Sequence, residues 1–169
     1  MSGIDGGLWR GPRKAAIRAV ENGRKRIIRN NFTGKVETVN TDLLNTLLDA
    51  GYLPVLTPPA ISNENEAINV DGDRASAATA MAMNAETLII LSNIPGVLKE
   101  FPDESSLITE IPVKDVDHVS EHYAEGRMRI KLLGAKEAIE GGVGRVVLGD
   151  ARIGASVSAA LDGKGSVIS

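Results

Sequence analysis

Three runs of consecutive apolar residues punctuate the chain, and each stops at turn chemistry. Residues 52–56 run into Thr57-Pro58-Pro59, residues 87–91 into Ser92-Asn93-Ile94-Pro95-Gly96, and residues 145–148 into Gly149-Asp150. The runs do not alternate with polar positions, so they predict strands covered on both faces, as in a parallel sheet. Between them lie helical patterns. Residues 41–50 end at Gly51, residues 73–84 form an alanine-rich stretch, and residues 128–140 end at Gly141-Gly142. Glycine just past a periodic segment is a natural helix stop. Such alternation predicts an α/β sandwich with right-handed crossovers. Residues 26–39 differ: two short alternating stretches flank a glycine-containing turn, which predicts a projecting β-hairpin. Ligands of open parallel sheets gather at the carboxyl ends of the strands. The loops after Leu56, over 92–98 and after Leu148 should therefore share one edge.

The length, 169 residues, suits a single domain with a real core. No cysteine is present, which excludes thiolate chemistry and a disulfide scaffold and fits a cytoplasmic protein. Two histidines without cysteine argue against a structural zinc site, and no metal-ligand set is expected. Apolar runs are too short to span a membrane, and a net charge of −3 does not mark a nucleic-acid binder. Positive charge is nevertheless concentrated early. Residues 1–36 carry Arg10, Arg13, Lys14, Arg18, Arg24, Lys25, Arg26, Arg29 and Lys35 against Asp5 and Glu21.

Candidate chemistry begins at Asn69-Val70-Asp71-Gly72-Asp73, where two carboxylates and an amide crowd the start of the alanine-rich helix. They either cap that helix or orient a lysine or a substrate group. Phosphate fingerprints are missing: Gly163-Lys164-Gly165 lacks the spacing of a P-loop, and Gly141-Gly142-Val143-Gly144 precedes a strand instead of joining a strand to a helix. Gly126-Arg127-Met128-Arg129-Ile130-Lys131 opens a helix and presents Lys131 in its first turns. A lysine there is either solvated or placed to neutralise a transferring phosphoryl group.

Three motifs fall in the order found in the amino acid kinase family: Asn69-Val70-Asp71-Gly72-Asp73, Leu91-Ser92-Asn93-Ile94-Pro95-Gly96-Val97-Leu98, and Gly126-Arg127-Met128 with Lys131. Within that family the chain resembles the acetylglutamate kinase branch. It is more similar still to the archaeal and thermophile kinases acting on aminoadipate or glutamate attached to the carrier protein LysW. Ser2-Gly3-Ile4-Asp5-Gly6-Gly7-Leu8, Arg13-Lys14, Phe32-Thr33-Gly34-Lys35-Val36 and the tail 161–168 carry that likeness. The resemblance implies a three-layer αβα sandwich around a mostly parallel sheet. It also implies transfer of the ATP γ-phosphoryl group to a side-chain carboxylate, giving an acyl phosphate, and a homodimer.

By the same resemblance Lys131 matches a catalytic lysine and Asp73 the aspartate that orients the catalytic lysines. Asn69 matches a residue holding the acylated amino acid, and Asp71 stands beside it where acetylglutamate kinases often carry asparagine. Asn93, Ile94, Pro95, Gly96, Val97 and Leu98, with Tyr123, Ala124 and Glu125, match segments that wrap the nucleotide, mostly through backbone groups. Mg²⁺ is expected on the ATP phosphates. Arg10, Arg13, Lys14, Arg24 and Lys25 are either a solvated basic face or a docking surface for an acidic carrier. Aromatic residues for base stacking are nearly absent, so RNA is the weaker partner. Family members begin with a strand carrying a lysine and a glycine-rich loop, followed by a substrate-binding glycine pair and arginine. Residues 1–20 do not replace these, so the chain is expected to be N-terminally incomplete and weak or inactive alone. The alternatives are a kinase of free acetylglutamate and a non-catalytic nucleotide-binding fragment.

Overall fold

The computed structural model describes residues 1–21 and 23–169, which fall into two units, Met1–Ala82 and Met83–Ser169. The strands of the first unit are β1 (Trp9–Gly11), β2 (Ile17–Glu21), β3 (Arg24–Ile28), β4 (Thr38–Val39), β5 (Ala60–Ser62) and β6 (Ala67–Ile68). Its helices are α1 (Thr41–Asp49) and α2 (Gly72–Ala82). One sheet has the order β4-β1-β5-β6, with β1 antiparallel to β4 and parallel to β5, and β5 antiparallel to β6. Asn40 starts α1: its side-chain oxygen accepts the Leu43 N–H at 3.1 Å. Ala75, Ala77 and Ala80 are the buried positions of α2, and side chains this small let the helix lie close to its neighbours. The indole N–H of buried Trp9 donates to Thr79 Oγ1 at 2.9 Å, tying β1 to α2.

Two expectations for this unit need correction. Residues 52–56 do not form a strand, and Tyr52, Leu53 and Val55 are 66%, 85% and 74% exposed. Among the described residues no ladder forms over 52–56: the Met1 ammonium donates to Val55 O and Tyr52 N–H to Leu47 O, and just past the run Thr57 N–H donates to Met1 O and Gly3 N–H to Thr57 O. An apolar run becomes a strand only where a ladder partner lies along it. The hairpin is also displaced. Its strands are β2 and β3, antiparallel from Ile17↔Ile28 to Glu21↔Arg24. The stretch after β3 forms only single bridges, Arg13↔Gly34 and Thr33↔Asn69, before β4.

The second unit contains β7 (Thr87–Ser92), β8 (Glu110–Ile111), β9 (Arg145–Asp150) and β10 (Ser166–Ile168). Its helices are α3 (Val116–Tyr123), α4 (Arg127–Glu140) and α5 (Ser156–Leu161). Two of the three predicted apolar strands appear here as β7 and β9, parallel from Thr87↔Arg145 to Ser92↔Asp150. Val146, Val147 and Leu148 are fully buried, as a strand covered on both faces requires. The sheet order is β7-β9-β10-β8, with β10 antiparallel to β9 and parallel to β8. The sheets are therefore mixed, where mostly parallel strands were expected. Helix α5 rises only about 9 Å, and the chain re-enters the sheet beside Leu148, near the carboxyl end of β9. From that end β10 can only run back along β9. No helix among the described residues is long and apolar enough to cross a membrane.

Candidate functional site

In the first unit the acidic motif is held by its backbone. Asn69 N–H donates to Phe32 O at 2.6 Å, and Asn69 O accepts the Gly34 N–H at 2.8 Å. These bonds fix the main chain of Asn69 while leaving the residue exposed. Asp71 then caps α2: its Oδ1 accepts the Arg74 N–H at 3.0 Å, and its carbonyl accepts the Ala75 N–H at 2.9 Å. The capping role weighed for these carboxylates thus belongs to Asp71. Asp73 lies half-buried in the first turn, where the helix dipole favours a carboxylate. The structure brings Asn69, Asp71 and Asp73 to one loop and helix start.

Lys131 and the residues predicted to border the nucleotide lie in the second unit. Residues 93–98 leave the carboxyl end of β7, next to the end of β9, where Ala151 N–H donates to Ser92 O at 2.7 Å. Asn93 is exposed, but Gly96, Val97 and Leu98 are buried, so these last three can offer a ligand little beyond backbone groups. Ser166 organises the turn. It is fully buried, accepts the Val97 N–H at 2.8 Å and donates to Ile108 O at 2.6 Å. A Cβ added at Gly96 would collide with the Ser166 hydroxyl, which explains the glycine. A second anchor lies at the same edge. Asp150 ends β9 and binds Arg152, and Arg152 also reaches Glu104 Oε1 at 2.8 Å. Ser166, Asp150, Arg152 and Glu104 are missing from the sequence-based set. For Asp150 the signal was its place at the carboxyl end of a buried strand; Ser166 offered none.

Tyr123 ends α3 and is partly exposed, Ala124 is buried and Glu125 exposed. Gly126, at φ 51°, then turns the chain into α4, a conformation that disfavours any residue with a Cβ. Arg129 folds back on this elbow, donating from Nε to Ala124 O at 2.6 Å and from Nη2 to Glu121 O at 3.3 Å. Lys136 reinforces it by an ion pair with Asp117 at 2.5 Å, and that hydrogen bond raises the lysine pKa above its ordinary value. Helix α4 packs on β9, and the short turn of residues 141–144 makes the two antiparallel. At about 21 Å for the helix and about 20 Å for the strand, the start of α4 lies level with the carboxyl end of β9. Lys131, half-buried, stands in the second turn from that start. The N-cap residue of α4, Gly126, has no side chain to cap it, and Met128 N–H donates to Glu125 O; helix starts of this kind suit an anion at their remaining N–H groups.

The basic residues divide into two kinds. Arg10 donates to Ser62 O and Asn65 Oδ1, both at 3.1 Å. Arg13 pairs with Glu66 at 2.9 Å, donates to Asn31 O at 2.6 Å and lies 4.2 Å from the Phe32 ring centroid. These two arginines hold the first unit together. Lys14, Arg24 and Lys25 remain on the exposed surface, with Arg18 and Arg29 beside them in sequence. An open cleft of about 550 Å³ in the second unit is lined by Glu110, Arg145, Asp162 and Ser169 among others. It holds none of the predicted residues, and Arg145 places it at the amino end of β9, opposite the edge where residues 93–98 leave β7.

Comparison with known proteins fits this arrangement. The model of the amino acid kinase family matches residues 10–150. The chain is 57% identical over 169 residues to the [LysW]-aminoadipate kinase of Deinococcus radiodurans, covering 100% of this chain and 58% of that protein. It is 52% identical over 171 residues to the [LysW]-aminoadipate kinase of Thermus thermophilus, covering 99% and 63%. The chain thus spans less than two thirds of the length of these relatives. Among solved structures, N-acetylglutamate synthase from Neisseria gonorrhoeae with coenzyme A and N-acetyl-glutamate superposes with a TM-score of 0.74 at 26% identity, covering 96% of this chain and 37% of that one. An α/β fold with mixed sheets, a motif order running from Asn69 to Lys131 and a family match over most of the length agree: the chain belongs to the amino acid kinase family.

Proposed function

We propose that this protein serves ATP-dependent phosphorylation of a side-chain carboxylate, on aminoadipate or glutamate carried by LysW. The observation that carries the reading is the identity of 57% and 52% to two [LysW]-aminoadipate kinases along essentially the whole chain. Phosphoryl transfer of this kind needs alignment and charge neutralisation more than covalent help. In this reading Lys131 neutralises charge on the transferring group, and the uncapped start of α4 offers N–H donors to phosphate oxygens. Residues 93–98 and 123–125 border the nucleotide through backbone groups. Asn69 holds the acceptor, Asp73 takes the lysine-orienting role, and Asp71 combines its cap with a place beside the acceptor. Mg²⁺, bound together with ATP, would supply further neutralisation of phosphate charge.

The carrier docks on the β2–β3 ribbon. On one face of that ribbon Arg18 pairs across to Ile27 and Val20 to Lys25. All four are exposed, with Val20 and Ile27 at 71% and 62%. Two cations around two aliphatic side chains fit an acidic partner surface with an apolar centre. Arg10 and Arg13 are engaged inside the first unit and do not belong to this face. The experiment is to join this chain to the amino-terminal lysine and glycine-rich loop of a [LysW]-aminoadipate kinase and compare turnover on LysW-linked aminoadipate with turnover on free acetylglutamate. Preference for the carrier-linked acceptor supports the proposal, and equal or faster use of the free amino acid overturns it.

A further inference from the structure

The chain has two histidines, and both lie on α3, one helical turn apart. We propose that His118 and His122 chelate a first-row transition-metal ion at an open surface site. Residues four apart share a helix face. Both residues are exposed, and their ring centroids are 4.1 Å apart with 33° between the planes. His122 Nδ1 lies 2.9 Å from His118 O. A carbonyl oxygen only accepts, so Nδ1 is the donor and Nε2 is the ring nitrogen left to bind a metal. Holding one ring N–H on a backbone carbonyl is the usual way a ligating imidazole is oriented. A ligated ion lies in the plane of each imidazole, about 2.1 Å from its nitrogen, so the two exposed rings, stacked at 4.1 Å and 33°, turn apart about their side-chain torsions to face one ion.

Asp117 and Glu121, both exposed, flank the pair in sequence; Lys136 pairs with Asp117 and Arg129 reaches the Glu121 carbonyl, so the charges beside the rings balance and the imidazoles themselves must bind the ion. Among the described residues no group of three or more His, Cys, Asp or Glu is placed to hold a metal, so this is a two-ligand site with water completing the shell. It differs in kind from a closed structural zinc centre. Imidazole pairs select Zn²⁺, Ni²⁺ or Cu²⁺ over Mg²⁺, so the ion that accompanies ATP does not compete. A bound ion would staple the last turn of α3, directly before Tyr123, Ala124 and Glu125. The site stands apart from the proposed kinase reading.

Calorimetric titration of the untagged full chain with Ni²⁺ and with Zn²⁺ tests it. The expected result is one ion per chain, no saturable heat with Mg²⁺, and a loss of about tenfold or more in affinity in both His118→Ala and His122→Ala. Both positions are exposed, and far-UV circular dichroism checks that the variants keep their helices. In the wild-type chain Ni²⁺ should broaden the ring proton resonances of both histidines. Absent saturable binding, unchanged affinity in either variant, or broadening of one ring alone overturns the proposal.

Discussion

Asp150 accepts three hydrogen bonds from Arg152: the backbone N–H and Nε donate to Oδ1 at 2.8 Å, and Nη2 to Oδ2 at 2.7 Å. Arg152 also holds Glu104, so one guanidinium joins the end of β9 to the far end of the loop that begins with residues 93–98. These bonds hold the Asp150 carboxyl at about 2, below its ordinary 3.8, and the Arg152 pKa moves up. Between those two carboxyl values the unfolded chain binds more protons than the folded one. Stability from this group is therefore complete above about pH 4 and is lost as pH falls through about 2. Asp150→Asn should flatten the pH dependence of unfolding free energy in that window. Superimposable acid-unfolding slopes for the two proteins would contradict this.

Ser166→Ala removes the acceptor of the buried Val97 N–H and the donor to Ile108 O. A buried donor left without a partner costs about 1–3 kcal/mol. Urea unfolding followed by circular dichroism should show a lower midpoint with an unchanged slope. Nucleotide affinity, read by titration with ADP, should fall as well, because residues 93–98 lose their anchor.

Trp9 is the sole tryptophan, so its fluorescence reports on the first unit alone. Thr79→Val removes the indole acceptor at nearly constant volume and should destabilise this unit by about 1 kcal/mol. The fluorescence-detected transition should shift to lower denaturant. No shift would show that the indole bond contributes nothing net.

The ribbon face predicts an electrostatic on-rate. Replacing Arg18 and Lys25 together by glutamate should slow association with an acidic carrier about tenfold at low salt, and the difference should shrink as salt rises. Arg10→Ala should instead lower stability, since Arg10 ties β1 to the turn after β5. Stopped-flow association rates and thermal melts separate the two outcomes.

How much was legible in the sequence depended on whether local pattern or a distant partner decided the structure. Strands β7 and β9 could be read because Val146, Val147 and Leu148 are buried on both faces, and continuous apolar runs encode that directly. The equally apolar residues 52–56 misled: among the described residues their backbone bonds are one from the Met1 ammonium to Val55 O and one from Tyr52 N–H to Leu47 O, and pairing is not written into a run. The hairpin was placed too late because β2 and β3 carry Arg18, Arg24, Lys25 and Arg26, whose charges mask the alternation. The acidic motif could be placed at its helix start, but whether Asp71 or Asp73 caps it was not written in the run; the Arg74 N–H on Asp71 Oδ1 is a structural finding. Ser166 could not, since its partner Val97 is 69 residues away.

The central claim is that this chain's residues serve transfer of a phosphoryl group to a carboxylate. Hydroxylamine traps an acyl phosphate as a hydroxamate, and the yield in the presence of ATP and LysW-linked aminoadipate measures that transfer. In a protein that joins this chain to the amino-terminal lysine and glycine-rich loop of a [LysW]-aminoadipate kinase, hydroxamate should form with ATP and fall about 100-fold or more in Lys131→Ala, as removal of one charge-stabilising group does elsewhere, with α4 intact by circular dichroism. An undiminished hydroxamate yield from the Lys131→Ala protein would contradict the account.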